Sequence, residues 1–203
     1  MSTESHAEHH DYFGAKLGMW LFLVTEINLF GGLFIAYSYM RHKYPADFHH
    51  AGGELNAVLG VTNTIVLLTS SLTVVLAIMA LQQGKKALSL RFLWSTIGCG
   101  LVFLVIKSFE WSAKFHHGLY PGGEHLAAQP HGEQVFFGLY FTMTGLHGVH
   151  VLVGITVLAV VARMIAAGKI TQERFITLEN AGLYWHLVDI IWIFLLPLFY
   201  LAA

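Results

Sequence analysis

LGMWLFLVTEINLFGGLFIAYSYM, residues 17–40, is the stretch of the sequence that decides the fold. Its 24 residues include no proline and a single acidic or basic side chain, Glu26. A helix of this length rises about 36 Å, which is enough to cross the ~30 Å hydrocarbon core of a bilayer. Glu26 would then lie near mid-membrane, where an unpaired ionised carboxylate is strongly disfavoured. The stretch therefore predicts a transmembrane helix whose acid is neutral or paired and faces protein or water.

The composition of the whole chain supports the same interpretation. Of its 203 residues, 56% are hydrophobic and 11% are charged, whereas soluble domains carry about 25% charged residues. We expect an all-α integral membrane bundle of five transmembrane helices. It forms a single domain over residues 16–203, after a polar, histidine-rich tail over residues 1–15. The predicted spans are about 17–40, 55–81, 92–115, 134–162 and 181–201, and Pro45–Glu54 is expected to be a connecting loop with Gly52 and Gly53 as turn residues.

Charge gives the expected orientation and excludes one class of partner. The formal net charge of −1 gives no indication of nucleic acid. Clustered tail histidines such as His6, His9 and His10 are usually solvated, so no metal site is predicted. With a cytoplasmic N-terminus, seven of the eleven Lys and Arg residues fall on the cytoplasmic side and four on the other. The positive-inside rule therefore predicts a cytoplasmic N-terminus and a C-terminus outside.

Polar residues three positions apart recur in the last three spans. The pairs are Lys107 with Glu110, His147 with His150, and His186 with Asp189. The first predicts an ion pair along one helix side. Three interpretations remain open from the residues alone: a structural subunit, a transporter or proton carrier, and a haem-b membrane anchor that uses His186 and a histidine of the fourth span. The structural subunit is favoured, because nothing indicates the discontinuous helices or paired repeats common in transporters.

Small residues indicate where helices approach one another. Gly145 and Gly148 predict close packing between the fourth and fifth spans, since a missing side chain lets a neighbour come near. Thr62, Thr69 and Thr73 share one face of the second span and predict hydrogen bonds across a helix contact.

Three segments resemble subunit III of the haem-copper respiratory oxidases (cytochrome c oxidase subunit 3). GMWLFLVTEINLFGGLFIAY, residues 18–37, is similar to the family's helix with an intramembrane acid. FFGLYFTMTGLHGVHVLVG, residues 136–154, resembles its TG-x-HG-x-H-V helix, and YWHLVDIIWIFLLPLFY, residues 184–200, resembles its closing WH-x-VD-x-xW helix. Many members have seven spans, so a five-span chain resembles the short bacterial form.

This resemblance implies a non-catalytic core subunit III of a proton-pumping terminal oxidase in the bacterial inner membrane. Such a subunit carries no haem or copper, packs directly on subunit I, which holds the haem-copper centre, and associates with subunit II. It binds phospholipid and supports assembly and sustained proton uptake. No catalytic residue is expected in this chain.

The resemblance also assigns roles to individual residues. Glu26 corresponds to the family's buried acid. A Glu here is typical of the cytochrome c oxidases, whereas the bo-type quinol oxidases, the alternative, tend to have Asp. The residues His147, His150, His186 and Asp189 become interhelical polar contacts. Arg163, at a helix end on the expected cytoplasmic side, is the expected contact of a lipid phosphate.

Overall fold

The computed structural model describes the backbone of residues 2–201 and the side chains of residues 12–201, and that part of the chain is helical without any strand. The helices are α1 (Ser2–Lys43), α2 (Pro45–Gly53), α3 (Ala57–Gln82), α4 (Lys86–His116), α5 (Glu124–Ala127), α6 (His131–Ala166) and α7 (Ile176–Leu196), which continues as a π-helical segment, Pro197–Leu201. Five of these helices are long and apolar enough to cross a membrane, namely α1, α3, α4, α6 and α7. The predicted fold class is therefore confirmed. The tail histidines His6, His9 and His10 lie outside the residues whose side chains are described.

Four of the five long helices enclose a common interior. α3 packs along α4, α4 against α6, α6 against α7, and α7 against α3. The indole of Trp185 occupies the space left by two glycines, because a Cβ built on Gly100 or Gly154 would lie 2.8 Å from its ring atoms. Lipid tails are as apolar as the side chains they contact, so such close packing, rather than burial from water, holds membrane helices together.

The helix α1 lies outside this four-helix bundle, in contact with α6 and α7. Only 11% of its most apolar stretch is buried within the chain, against 56% for the last span. Polar contacts hold α1 at three depths. The Lys16 ammonium lies 3.2 Å from the Glu179 carboxylate near one end, Glu26 bonds to α6 in the middle, and the Tyr37 hydroxyl donates to the Leu198 carbonyl near the other end.

Two expectations about packing were wrong. Pro45–Glu54, expected to be a connecting loop, forms α2: proline suits the first turn of a helix, and the buried side chains of Phe48 and Ala51 anchor it. Gly148 does not pack against α7, since no atom lies within 4 Å of a Cβ built there, and Gly145 faces Trp111 of α4. Gly154, six residues after Gly148, makes the contact with α7.

Candidate functional site

The mid-membrane acid of α1 is paired with a histidine of α6. Glu26 Oε2 lies 2.8 Å from His150 Nε2, and each side chain is 14% exposed. The other ring nitrogen, Nδ1, donates to the Leu146 carbonyl at 2.8 Å. The Phe30 ring packs against the imidazole in a T-shaped arrangement, with 5.2 Å between ring centroids. The pair is thus formed between two helices and largely shielded by apolar side chains.

The geometry around His150 fixes how many protons the pair holds. A carbonyl oxygen accepts only, so Nδ1 carries a proton. The contact between Nε2 and the Glu26 carboxyl then requires one proton between them: either the acid donates to a neutral imidazole, or an imidazolium donates to a carboxylate. Both arrangements have zero net charge, which is the state that a low-dielectric surrounding favours. Loss of this proton would set two acceptors against each other at 2.8 Å.

His186 makes a different interhelical contact. Its Nδ1 lies 2.7 Å from the Ser71 hydroxyl of α3. Two indoles of α7 bond to the same helix: Trp185 Nε1 donates to Ser70 Oγ at 2.9 Å, and Trp192 Nε1 donates to Thr64 Oγ1 at 3.0 Å. These bonds form a polar seam between α3 and α7.

The hydroxyls that the sequence singled out for such contacts mostly do not make them. Thr62 and Thr69 are exposed and donate to carbonyls of their own helix, four residues back, at 2.8 Å each. Only Thr73 reaches a neighbour, with its hydroxyl 2.8 Å from that of Thr96 on α4. The sequence does contain a signal for the bonds between α3 and α7. Two tryptophans of α7, seven residues apart, face two hydroxyl residues of α3, six residues apart, and the two helices run antiparallel.

The predicted ion pair of Lys107 and Glu110 is present, with 3.1 Å between Nζ and Oε2. Two tyrosines bond to both members of the pair. The ammonium donates to the hydroxyls of Tyr140 at 3.0 Å and Tyr200 at 2.6 Å. Both hydroxyls donate to Glu110 Oε1, at 2.9 and 2.6 Å. The Lys107 and Glu110 side chains are 7% and 3% exposed. This network is closed on itself, which is the arrangement that makes a buried ion pair tolerable.

His147 and Asp189 have no hydrogen-bonding partner among the described residues, although both are buried. The imidazole of His147 packs against the rings of Trp192 and Phe103, at centroid distances of 5.2 and 5.5 Å. The Ser71 hydroxyl, which is bonded to His186, also lies beside the Asp189 carboxyl, although the two do not meet the geometry of a hydrogen bond.

The three histidines do not fit a haem. A bis-histidine haem needs two imidazoles facing each other across the iron, whereas His150 faces α1, His147 faces α4 and α7, and His186 faces α3. Within residues 12–201, no group of three His, Cys, Asp or Glu side chains is arranged to hold a metal ion. Arg163 is exposed at the end of α6.

Comparison with known proteins gives concordant matches over the full length. The family model described as cytochrome c oxidase subunit III matches residues 2–203. Cytochrome c oxidase subunit 3 of Thermostichus vulcanus is 31% identical over 202 residues, covering 98% of this chain and 92% of that protein. Cytochrome bo(3) ubiquinol oxidase subunit 3 of Pseudomonas aeruginosa is 31% identical over 208 residues, covering 98% and 90%. A heme-copper oxidase subunit I+III of Aeropyrum pernix is 27% identical over 206 residues, covering 97% of this chain and 24% of that protein.

Proposed function

This chain belongs to the cytochrome c oxidase subunit III family, and on that premise we propose that it supports the oxygen chemistry of a haem-copper subunit without catalysing it. The resemblance drawn from the sequence motifs is thereby confirmed, and the chain is a subunit III of a haem-copper oxidase. Its contribution is to stabilise the assembled complex, to bind lipid and to sustain proton uptake over many turnovers.

One observation carries the proposal: the 2.8 Å contact between Glu26 and His150, which requires one proton between the two side chains. The pair lies near the middle of the apolar part of α1, a helix that is mostly exposed to the surroundings of the chain, and the expected depth is therefore near the bilayer centre. An ionisable group at that depth is costly and is usually functional. The pair carries no net charge and bonds two helices, so it is suited to hold a proton at the boundary between protein and lipid.

Haem and copper belong, in this proposal, to partner subunits. Subunit I is the expected direct partner and subunit II a further one. The Aeropyrum pernix relative, named subunit I+III, supports a close association, because its name joins the two subunits in one chain. The haem-copper centre supplies the electron transfer and oxygen reduction, while this chain contributes packing, lipid and a local proton environment.

Phospholipid is the second proposed ligand. Arg163 is exposed at the end of α6 that carries the connector to α7, where Lys169 and Arg174 add positive charge. A guanidinium at this membrane face is suited to bidentate hydrogen bonding with a phosphate. The bacterial inner membrane, with a cytoplasmic N-terminus, is the proposed location.

The electron donor is proposed to be a cytochrome c, since Glu26 is the acid typical of that group. A quinol oxidase is the alternative, because the ubiquinol oxidase subunit of Pseudomonas aeruginosa is as similar to this chain as the cytochrome c oxidase subunit of Thermostichus vulcanus. Oxidation of reduced cytochrome c, but not of a quinol, by the purified complex would identify cytochrome c as the electron donor.

The test of the supporting role is oxygen consumption by the assembled complex carrying Glu26→Gln. Glutamine preserves shape and a hydrogen bond but holds no titratable proton. We expect an initial rate close to the wild type and a faster loss of activity over successive turnovers. Glu173→Gln, the same change at an exposed connector residue, is the matched control and should behave as the wild type. An initial rate at background in an intact, fully metallated complex would refute the non-catalytic role.

A further inference from the structure

A layer of unpartnered polar side chains lies inside the four-helix bundle. Asn63 of α3, His147 of α6 and Asp189 of α7 are 0%, 0% and 2% exposed. Neither polar atom of Asn63, neither ring nitrogen of His147 and neither carboxyl oxygen of Asp189 has a hydrogen bond within the described residues. Most buried polar groups in folded proteins have a hydrogen-bonding partner. Three side chains in one bundle interior whose polar atoms all lack a partner therefore require an explanation.

Contacts with α7 place these residues at neighbouring depths. The His147 ring packs on Trp192, and Trp192 Nε1 bonds to Thr64, the residue that follows Asn63. Asp189 is three residues before Trp192, about 4.5 Å along the helix axis, and is also buried. The three side chains therefore come from three helices that surround one short section of the interior.

Direct side-chain hydrogen bonds lie on either side of this layer. On one side, Trp185 bonds to Ser70 across the interior at 2.9 Å. On the other, Lys107 bonds to Tyr140 and Tyr200 in the closed network. The other buried polar atoms without a partner among the described residues are single atoms of Ser89, Trp111 and Asn180. Only Asn63, His147 and Asp189 each leave two polar atoms unpaired.

The chemistry of the three side chains limits what can bind them. An amide, an imidazole and a carboxyl together offer both donors and acceptors, so the ligand must donate and accept. Their burial excludes a partner side chain or a lipid headgroup, and an apolar ligand would leave all of them unpaired. Water is small enough, supplies both functions, and spans groups about 5–6 Å apart with two ordinary hydrogen bonds. A chain of this length is expected to hold about seven buried waters.

We propose that this layer is an internal water-binding site, in which one or two ordered waters join Asn63, His147 and Asp189 into a single hydrogen-bonded unit. The unit attaches α6 to α3 and α7, which the bond of Trp192 to Thr64 already joins at this depth. It is separate from the Glu26–His150 pair, which lies on the α1 side of α6.

Coupling between residues tests the proposal in the assembled oxidase. Asn63→Leu and Asp189→Leu are made singly and together, and the temperature at which this subunit leaves the complex is measured. Each single change should lower that temperature by roughly 5 °C, because the remaining members lose a bonded water. The double variant should fall by clearly less than the sum, since the first change already removes the shared water. Asn28→Leu, the same change on the exposed face of α1, should show no coupling to Asp189→Leu.

Single variants as stable as the wild type, or more stable, would overturn the proposal, because removal of a truly unpaired amide relieves a desolvation cost. Strictly additive effects would overturn it as well. If the leucine variants fail to assemble, an experimental structure of the wild-type complex that resolves internal waters tests the proposal instead. Water within hydrogen-bonding distance of at least two of the three side chains supports the site, and an empty layer beside resolved waters elsewhere refutes it.

Discussion

Replacement of Glu26 by leucine should loosen α1 by an amount that the structure allows to be estimated. The change leaves His150 Nε2 without its partner at mid-membrane, where its side chain is only 14% exposed. A buried polar group left unpaired costs about 1–3 kcal/mol, and for a chain of this size about 1 kcal/mol corresponds to roughly 2–4 °C. We therefore expect Glu26→Leu to release the subunit from the complex at a temperature lower by about 6 °C. Glu26→Gln should cost much less, since its amide can donate to the same ring nitrogen.

The partner substitution provides the decisive control. In Glu26→Leu combined with His150→Leu, no buried polar group remains unpaired, and replacement of both partners by apolar groups is close to neutral. The double variant should consequently be more stable than either single variant. Thermal release of the subunit, followed by electrophoresis of the complex in detergent, measures all four proteins of this cycle. If the two losses simply add, the pair contributes nothing to the attachment of α1 and the reasoning fails.

Further substitutions address packing, the buried ion pair and lipid. Gly154→Ala should reduce the amount of subunit in the complex, since its Cβ would meet an indole ring at 2.8 Å, while Gly148→Ala should not, because the space before it is open; equal yields would contradict this. Lys107→Met should destabilise by about 3–5 kcal/mol through the unpaired buried charge on Glu110, and a melting temperature equal to the wild type would argue that the carboxyl is not ionised. Arg163→Gln should lower the phospholipid that co-purifies with the complex, as quantified by mass spectrometry; unchanged lipid would exclude this residue as a contact.

The sequence was sufficient for the fold because the signals involved are local. Five apolar stretches of the length of a bilayer predict five spans whatever their neighbours are, and the depth of Glu26 follows from the same arithmetic. The ion pair of Lys107 and Glu110 was predictable for the same reason, since residues three apart meet on one helix side.

The partners within the site were not predictable, because they depend on how each helix is rotated in the bundle. His147 and His150 are equivalent by spacing, yet the first faces the interior and only the second meets Glu26. The addition of Tyr200 to the ion pair 93 residues away likewise follows from the packing of the last helix between α3 and α6, which no local pattern encodes.

The pair of Glu26 and His150 has a structural consequence as well as a chemical one. Burial from water cannot fix a helix whose alternative surrounding is lipid, so α1 is held by the close packing of Leu23, Phe30 and Tyr37 together with its polar contacts. The contact of Lys16 with Glu179 is 37% and 22% exposed, and surface ion pairs contribute little. The Tyr37 hydroxyl bonds to a neutral carbonyl. The shielded mid-membrane pair is then the strongest of the three contacts, and it exists only while one proton lies between its two side chains. A proton taken from this pair would therefore weaken the attachment of α1 at the same time, so proton occupancy and helix position are linked in this subunit.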